Sequence, residues 1–191
     1  MERLFRFLLV AVFAVVFVSC GVFFSSMDGR WNIKDPDNEL LTYKPIIDGY
    51  LEGTVWHDGR DEDLYAYPDS KAILLRFSTG DFPDSVAASY LTLTVSMQPS
   101  GDADLYVHRI LQPWDGLSFT QPPDAMPGFF DDAFSVARLS KSAVEILVPI
   151  TSIYSGSKDN LTNGLIIYSE VPVKFHSAEL GTAPLLSIEP E

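Results

Sequence analysis

Tyr106 and His108 stand two residues apart in the apolar run Leu105 to Ile110, and on a strand that spacing turns both side chains to one face. Tyrosine, histidine and arginine gathered on one such face could abstract a proton from a sugar ring, as in a polysaccharide lyase. Arg109 follows directly, however, and on a regular strand it points to the opposite face. Other catalytic sets have less support. The chain has no Gly-x-Ser-x-Gly elbow, and its one cysteine, Cys20, lies near the N-terminus. His57, His108 and His176 are scattered, with no His-x-x-x-His spacing for a catalytic zinc. The domain is therefore read as non-catalytic, with a lyase as the alternative if Tyr106, His108 and an arginine meet in one cleft.

Binding a sugar asks for less: a flat aromatic ring against the C–H face, and polar groups around it. Arg76, Tyr90, Tyr106, His108 and Trp114 are the candidate ligand-binding residues, from a wider aromatic set that includes Trp56, Tyr65, Tyr67, Phe129 and Phe130. Arg76 shares a face with Leu74, while Ile73, Leu75 and Phe77 share the other, so it pairs with an acid across the sheet or reaches a ligand carboxylate. Trp114, Phe129 and Phe130 are read as core or loop anchors before they are read as sugar platforms. Asp58, Asp61, Glu62 and Asp63 crowd beside Gly59, which raises calcium, although the spacing is not an EF-hand. A solvated turn is the plainer reading. A calcium held by Asp58, Asp61 and Asp63 would be structural, and no cofactor is required.

The elements that must position these residues read as β throughout. Tyr90 to Met97 alternates strictly, with Leu91, Leu93, Val95 and Met97 on one side and Tyr90, Thr92, Thr94 and Ser96 on the other. Similar runs at Ile46 to Val55, Ala72 to Phe77, Leu105 to Ile110, Val144 to Ile150, Leu165 to Tyr168, Val173 to Phe175 and Leu185 to Ile188 make about eight strands. Turn signals at Pro99-Ser100-Gly101-Asp102 and Thr162-Asn163-Gly164 mark antiparallel connections. Gln112 to Arg138 is rich in proline and reads as one long loop, of the kind that is usually functional or poorly ordered. The fold class is an all-β antiparallel β-sandwich over residues 45–190, preceded by a tether over 20–44 and a signal-peptide helix over 1–19.

The order of motifs carries a resemblance. Asp48-Gly49-Tyr50-Leu51, Leu74-Leu75-Arg76-Phe77, Ala88 to Leu93, Val107-His108-Arg109 with Trp114, Val148 to Thr151, Asn163 to Ile167 and the terminal Pro184 to Ile188 together resemble the DNRLRE-type, disaggregatase-related domain family. The acidic-rich motif of the family name is absent as such, and the tryptophans before the middle loop are reduced to Trp114. The resemblance implies a jelly roll of the kind that accompanies polysaccharide-active proteins and in some members binds carbohydrate.

Compartment and partners follow from the N-terminus and the charge. Arg3 and Arg6 precede a 12-residue apolar run, Phe7 to Val18, shorter than the roughly 20 residues that cross a bilayer, as in a signal peptide. Phe17-Val18-Ser19-Cys20 resembles a bacterial lipobox, with Phe17 where leucine is usual. It implies cleavage before Cys20 and acylation of that cysteine, hence a protein of the bacterial cell envelope, anchored on the outer side of the cytoplasmic membrane or in the outer membrane. Two or three acyl chains give lasting attachment. The formal charge is −13, with 13 basic against 26 acidic residues, and this excludes nucleic acid and disfavours anionic headgroups. It also favours neutral or amino sugars over acidic ones. The expected partners are the membrane, through the lipid, and a polysaccharide or glycoconjugate. The alternative is an assembly lipoprotein that binds an envelope protein, which predicts an exposed apolar patch or an open edge strand.

Overall fold

The computed structural model describes residues 40–61, 63–115, 119–154, 157–179 and 182–191. The stretch read as signal peptide, Cys20 and most of the stretch read as tether lie outside them. Two six-stranded sheets, antiparallel at every pairing, pack as a sandwich. The first runs in the order β1 (Leu41–Tyr43), β12 (Leu185–Pro190), β6 (Val86–Met97), β11 (Val173–Phe175) and β4 (Leu64–Ala66). Strand β9 (Glu145–Pro149) pairs with β6 as well. At 12 residues, β6 is long enough to carry β12 on its first part and β11 on its last. The second sheet runs β3 (Val55–Asp58), β2 (Ile47–Glu52), β5 (Lys71–Arg76), β10 (Leu165–Ser169), β7 (Ala103–Ile110) and β8 (Phe130–Leu139).

Alternation decides which face each residue takes. Leu91 and Leu93 of β6, Ile73 and Leu75 of β5, Leu105 and Val107 of β7, and Leu165 and Ile167 of β10 point between the sheets and are fully buried there. The second sheet is buried on its other face too. Leu51, Ala72, Leu74, Ile110 and Ile166 point outward and are covered by Trp114 and Phe129 from the segment between β7 and β8. That segment is a third layer, which explains why β5 and β10 read as continuous apolar runs rather than alternating ones.

Four expectations change. The sandwich begins inside the stretch read as tether, because Leu41 to Tyr43 pairs with Leu186 to Ile188; three residues are too few to show a period. The run Ile46 to Val55 is not one strand but folds back at Gly53 and Thr54 into the β2–β3 hairpin. The loop read as Gln112 to Arg138 ends at Phe129, since Phe130 onward forms β8 on the edge of the second sheet. The turn at Pro99 to Asp102 carries the chain from β6 in one sheet to β7 in the other, rather than between paired neighbours. A turn signal reports a reversal, not a hydrogen-bonding partner.

Gly164 shows how closely neighbouring chain segments of the second sheet approach where β10 begins beside β5. It sits at φ +89°, and a Cβ there would lie 2.0 Å from the Leu75 carbonyl oxygen. Its own carbonyl accepts from the Ile110 N–H, while the Asn163 carbonyl accepts from the Trp114 indole at 2.6 Å. The Asn163 side chain donates to the Leu111 carbonyl. The predicted turn at Thr162 to Gly164 thus pins the start of the covering segment.

Candidate functional site

Where the covering segment leaves the outer face of the second sheet, a half-open cleft of about 430 Å³ remains, within the usual range for small-ligand sites. Leu51, Ala72, Tyr106 and Tyr168 form its floor. Pro122, Pro123 and Asp124 make one wall. The β4–β5 turn, Pro68 to Ser70, makes another, and Glu170 closes the end of β10.

Each polar group in the cleft has a definable state. The Tyr106 hydroxyl donates to Glu170 at 3.0 Å, and this bond raises the phenol's pKa. The second Glu170 oxygen accepts from the Asp104 N–H, so the carboxylate is fixed in place. Tyr168 stands beside Tyr106 across the β7–β10 ladder. Its hydroxyl is screened from solvent and has no hydrogen-bond partner among the described residues. Burial, and to a smaller extent the charge of Asp124, push its pKa well up, so it stays a neutral phenol. The Lys71 ammonium is 3.2 Å from Glu52 and about 5 Å from the ring centres of Tyr50, Tyr65 and Tyr67. Its charge is already answered outside the cleft. Asp69 occupies the turn at φ +56°, a left-handed conformation that glycine or asparagine adopts at less cost.

Of the five ligand-binding candidates read from the sequence, Tyr106 alone lines this cleft. His108 shares its face, as the spacing predicts. Its ring meets Phe130, Phe134 and Tyr168, and its Nδ1 lies 2.9 Å from the Asp131 carbonyl oxygen. Arg109 turns to the other face and bonds the Asp131 carboxylate, so Tyr106, His108 and Arg109 do not meet in one cleft. Tyr90 lies on the first sheet, opposite Ser187 and Pro149. Among the described residues Arg76 pairs with no acid: its guanidinium donates to the Trp114 carbonyl at 2.7 Å and covers the indole at 5.5 Å. Trp114 is 6% exposed, packed against Trp56 and Phe119, which makes it the anchor of the covering segment. Phe129, from the same segment, is buried against the outer face of the sheet, and half-buried Phe130 packs against that cluster.

The acidic loop is occupied by its neighbours. Asp58 pairs with Arg60, and Asp63 lies 3.4 Å from His176. The Asp61 side chain and Glu62 fall outside the described residues. Among the described residues no three His, Cys, Asp or Glu side chains are grouped to hold a metal. Close by, Asp48 is buried and accepts from the Ala178 N–H at 2.8 Å. Burial raises its pKa, against the pull of that bond, and nearby Glu179 and Asp58 add to the rise.

Tyr168, Asp69, Asp124, Glu170 and Lys71 were not among the sequence candidates. Tyr168 had a signal, because Ile166 and Tyr168 alternate with Leu165 and Ile167. The others are turn and loop residues, brought together only by tertiary packing. No protein-family model matches the chain, and no curated protein matches it.

Proposed function

We propose that this is a lipid-anchored envelope protein whose sandwich domain binds carbohydrate, without catalysis, in the cleft on the outer face of its second sheet. The observation that carries the reading is the floor of that cleft. Tyr106 and Tyr168 line it beside proline rings, with the Glu170 carboxylate and the Tyr168 phenol, which has no hydrogen-bond partner among the described residues, at its edge. Stacking of sugar C–H faces on tyrosine, with hydroxyls bonded around the rim, is the chemistry such a surface suits. The resemblance of the motif series to the DNRLRE-type family supports the same reading. The lipobox-like Phe17 to Cys20 supports the anchor.

The test is binding of the full chain, held in detergent, to an array of neutral, amino and acidic polysaccharides, with the products inspected for new reducing or unsaturated ends. Saturable binding that Tyr168→Ala and Tyr106→Ala weaken about tenfold or more supports the reading. Absence of binding to every glycan overturns it, and chain cleavage replaces the binding module with a lyase. For the anchor, mass spectrometry should find acyl chains on Cys20 that Cys20→Ala removes.

A second reading has its own observation. On the edge strand β8, Phe134 and Val136 are 50% and 47% exposed, which suits an envelope protein partner. Under that reading, Val136→Lys abolishes a cross-link to the partner in intact cells and leaves glycan binding unchanged.

A further inference from the structure

We propose that the edge strand β8 is the interface for a second copy of this chain, joined antiparallel across a two-fold axis at Ser135 so that the second sheets of the two copies become one. This names the partner for the edge-strand reading above, on whose observation it rests, and it stands without the carbohydrate reading.

The edge at β8 is long and unguarded. It runs for 10 residues and pairs with β7 alone, whereas the edges at β1, β4, β3 and β9 offer 3 to 5 residues each. Proteins commonly guard such an edge with lysine or proline, and β8 contains neither. The direction of its backbone groups follows from the neighbouring ladder. The Glu170 N–H donates to the Asp104 carbonyl and the Ile110 N–H to the Gly164 carbonyl, so the even-numbered residues of β7 turn toward β10. Leu105 and Val107 therefore turn toward β8, where Ala137 and Ser135 stand opposite them. This leaves the N–H and C=O groups of Phe134 and Val136 directed off the sheet, with no backbone partner among the described residues.

The side chains along that edge complement their own reverse. Asp132, Phe134, Val136 and Arg138 are all exposed, Phe134 by 50% and Val136 by 47%. Turned about Ser135, a second β8 sets Phe134 against Val136, Ala133 against Ala137 and Asp132 against Arg138. Asp132 has no ion pair among the described residues, and Arg138, 60% exposed, holds Asp104 through one guanidinium nitrogen. Neighbouring registers lose the match. A two-fold at Phe134 puts Asp132 opposite Val136, and one at Val136 puts Phe134 opposite Arg138. Self-complementarity is what a two-fold interface requires, and a strand shaped for an unrelated protein has no need of it.

Sedimentation equilibrium of the full chain in density-matched detergent tests this. The expected result is a reversible dimer that Val136→Lys weakens about tenfold or more. Asp132→Arg and Arg138→Asp set like charges opposite each other at two places in the dimer, and each should weaken self-association about tenfold. Mixed together, the two variants should regain the wild-type affinity, because each then presents the charge that the other lacks. Equal thermal midpoints for the variants separate weakened association from misfolding. A chain that stays monomeric at every concentration overturns the proposal, as do dimers that the charge variants leave intact or that mixing does not restore. A cross-link from β8 to a different envelope protein, without self-association, overturns the second copy and leaves the edge-strand reading standing. Glycan binding is scored separately on the Val136→Lys chain, so failure of the carbohydrate reading is distinct from failure of this one.

Discussion

Asp69 and Gly164 are two left-handed positions with opposite chemistry. At Asp69 the backbone is left-handed at φ +56° with a side chain in place, so Asp69→Gly should raise stability by up to about 1 kcal/mol in urea unfolding. At Gly164 the space is closed, because any Cβ meets the Leu75 backbone. Gly164→Ala should cost about 3 kcal/mol or more and loosen the Trp114 indole bond, visible as a red shift of tryptophan emission. Asp48 gives a pH signature. Its folded pKa is raised mainly by burial, so the folded state prefers the protonated form. Its contribution to stability is full below the ordinary carboxylate range and is lost as pH rises through the folded value. Asp48→Asn keeps an acceptor for the Ala178 N–H. It should therefore stabilise the protein at pH 7, on the order of 1 kcal/mol, with the gain vanishing near pH 3. Equal gains at both pH values would remove the titration from the explanation.

Among the elements, the segment between β7 and β8 does the most with the least regular structure. It covers the second sheet through Trp114, Phe119 and Phe129, and it is tied down by Arg76 and the Asn163 turn. Trp114→Ala removes the indole from beneath Arg76 and should cost about 3 kcal/mol, with loss of hydrogen-exchange protection across the outer face of β5. Trp114→Phe keeps a ring and loses the indole N–H, so about 1 kcal/mol is expected. Glycan binding lost in the alanine variant would report the collapse of a cleft wall, not a missing contact. The edge strand β8 behaves differently. Val136 is half exposed, and Val136→Lys should change stability by less than about 0.5 kcal/mol. Sequence reading passed over β8 because its apolar residues, Phe134 and Val136, face solvent while Ser135 points inward, against the usual pattern.

At the scale of the whole molecule, the charge of −13 is a standing repulsion. Among the described residues few ion pairs offset it, and those of Arg60, Arg138 and Lys158 are solvent-exposed and worth little. Raising salt from about 10 mM to about 150 mM should therefore raise the midpoint of thermal unfolding, measured by calorimetry, because screening relieves the repulsion more than it weakens the pairs. The strands were legible at once where one face is buried: period two in β6 placed Leu91 and Leu93 in the core and Tyr90 outside it, and the same period put Tyr106 beside His108. Short hydrogen-bonded repeats are local, so the order of residues determines them, and the all-β class followed from their spacing. The cleft was not local. Tyr168 and Tyr106 are neighbours only because β10 pairs with β7, and Asp69, Asp124 and Glu170 meet there only because three connections end at one rim. Trp114 and Arg76, both ligand-binding candidates in the sequence, are claimed by each other once the covering segment lies on the sheet. Alternation assigns a side chain to a face; what covers that face is decided by contacts between residues far apart in the chain, and so by the tertiary structure alone.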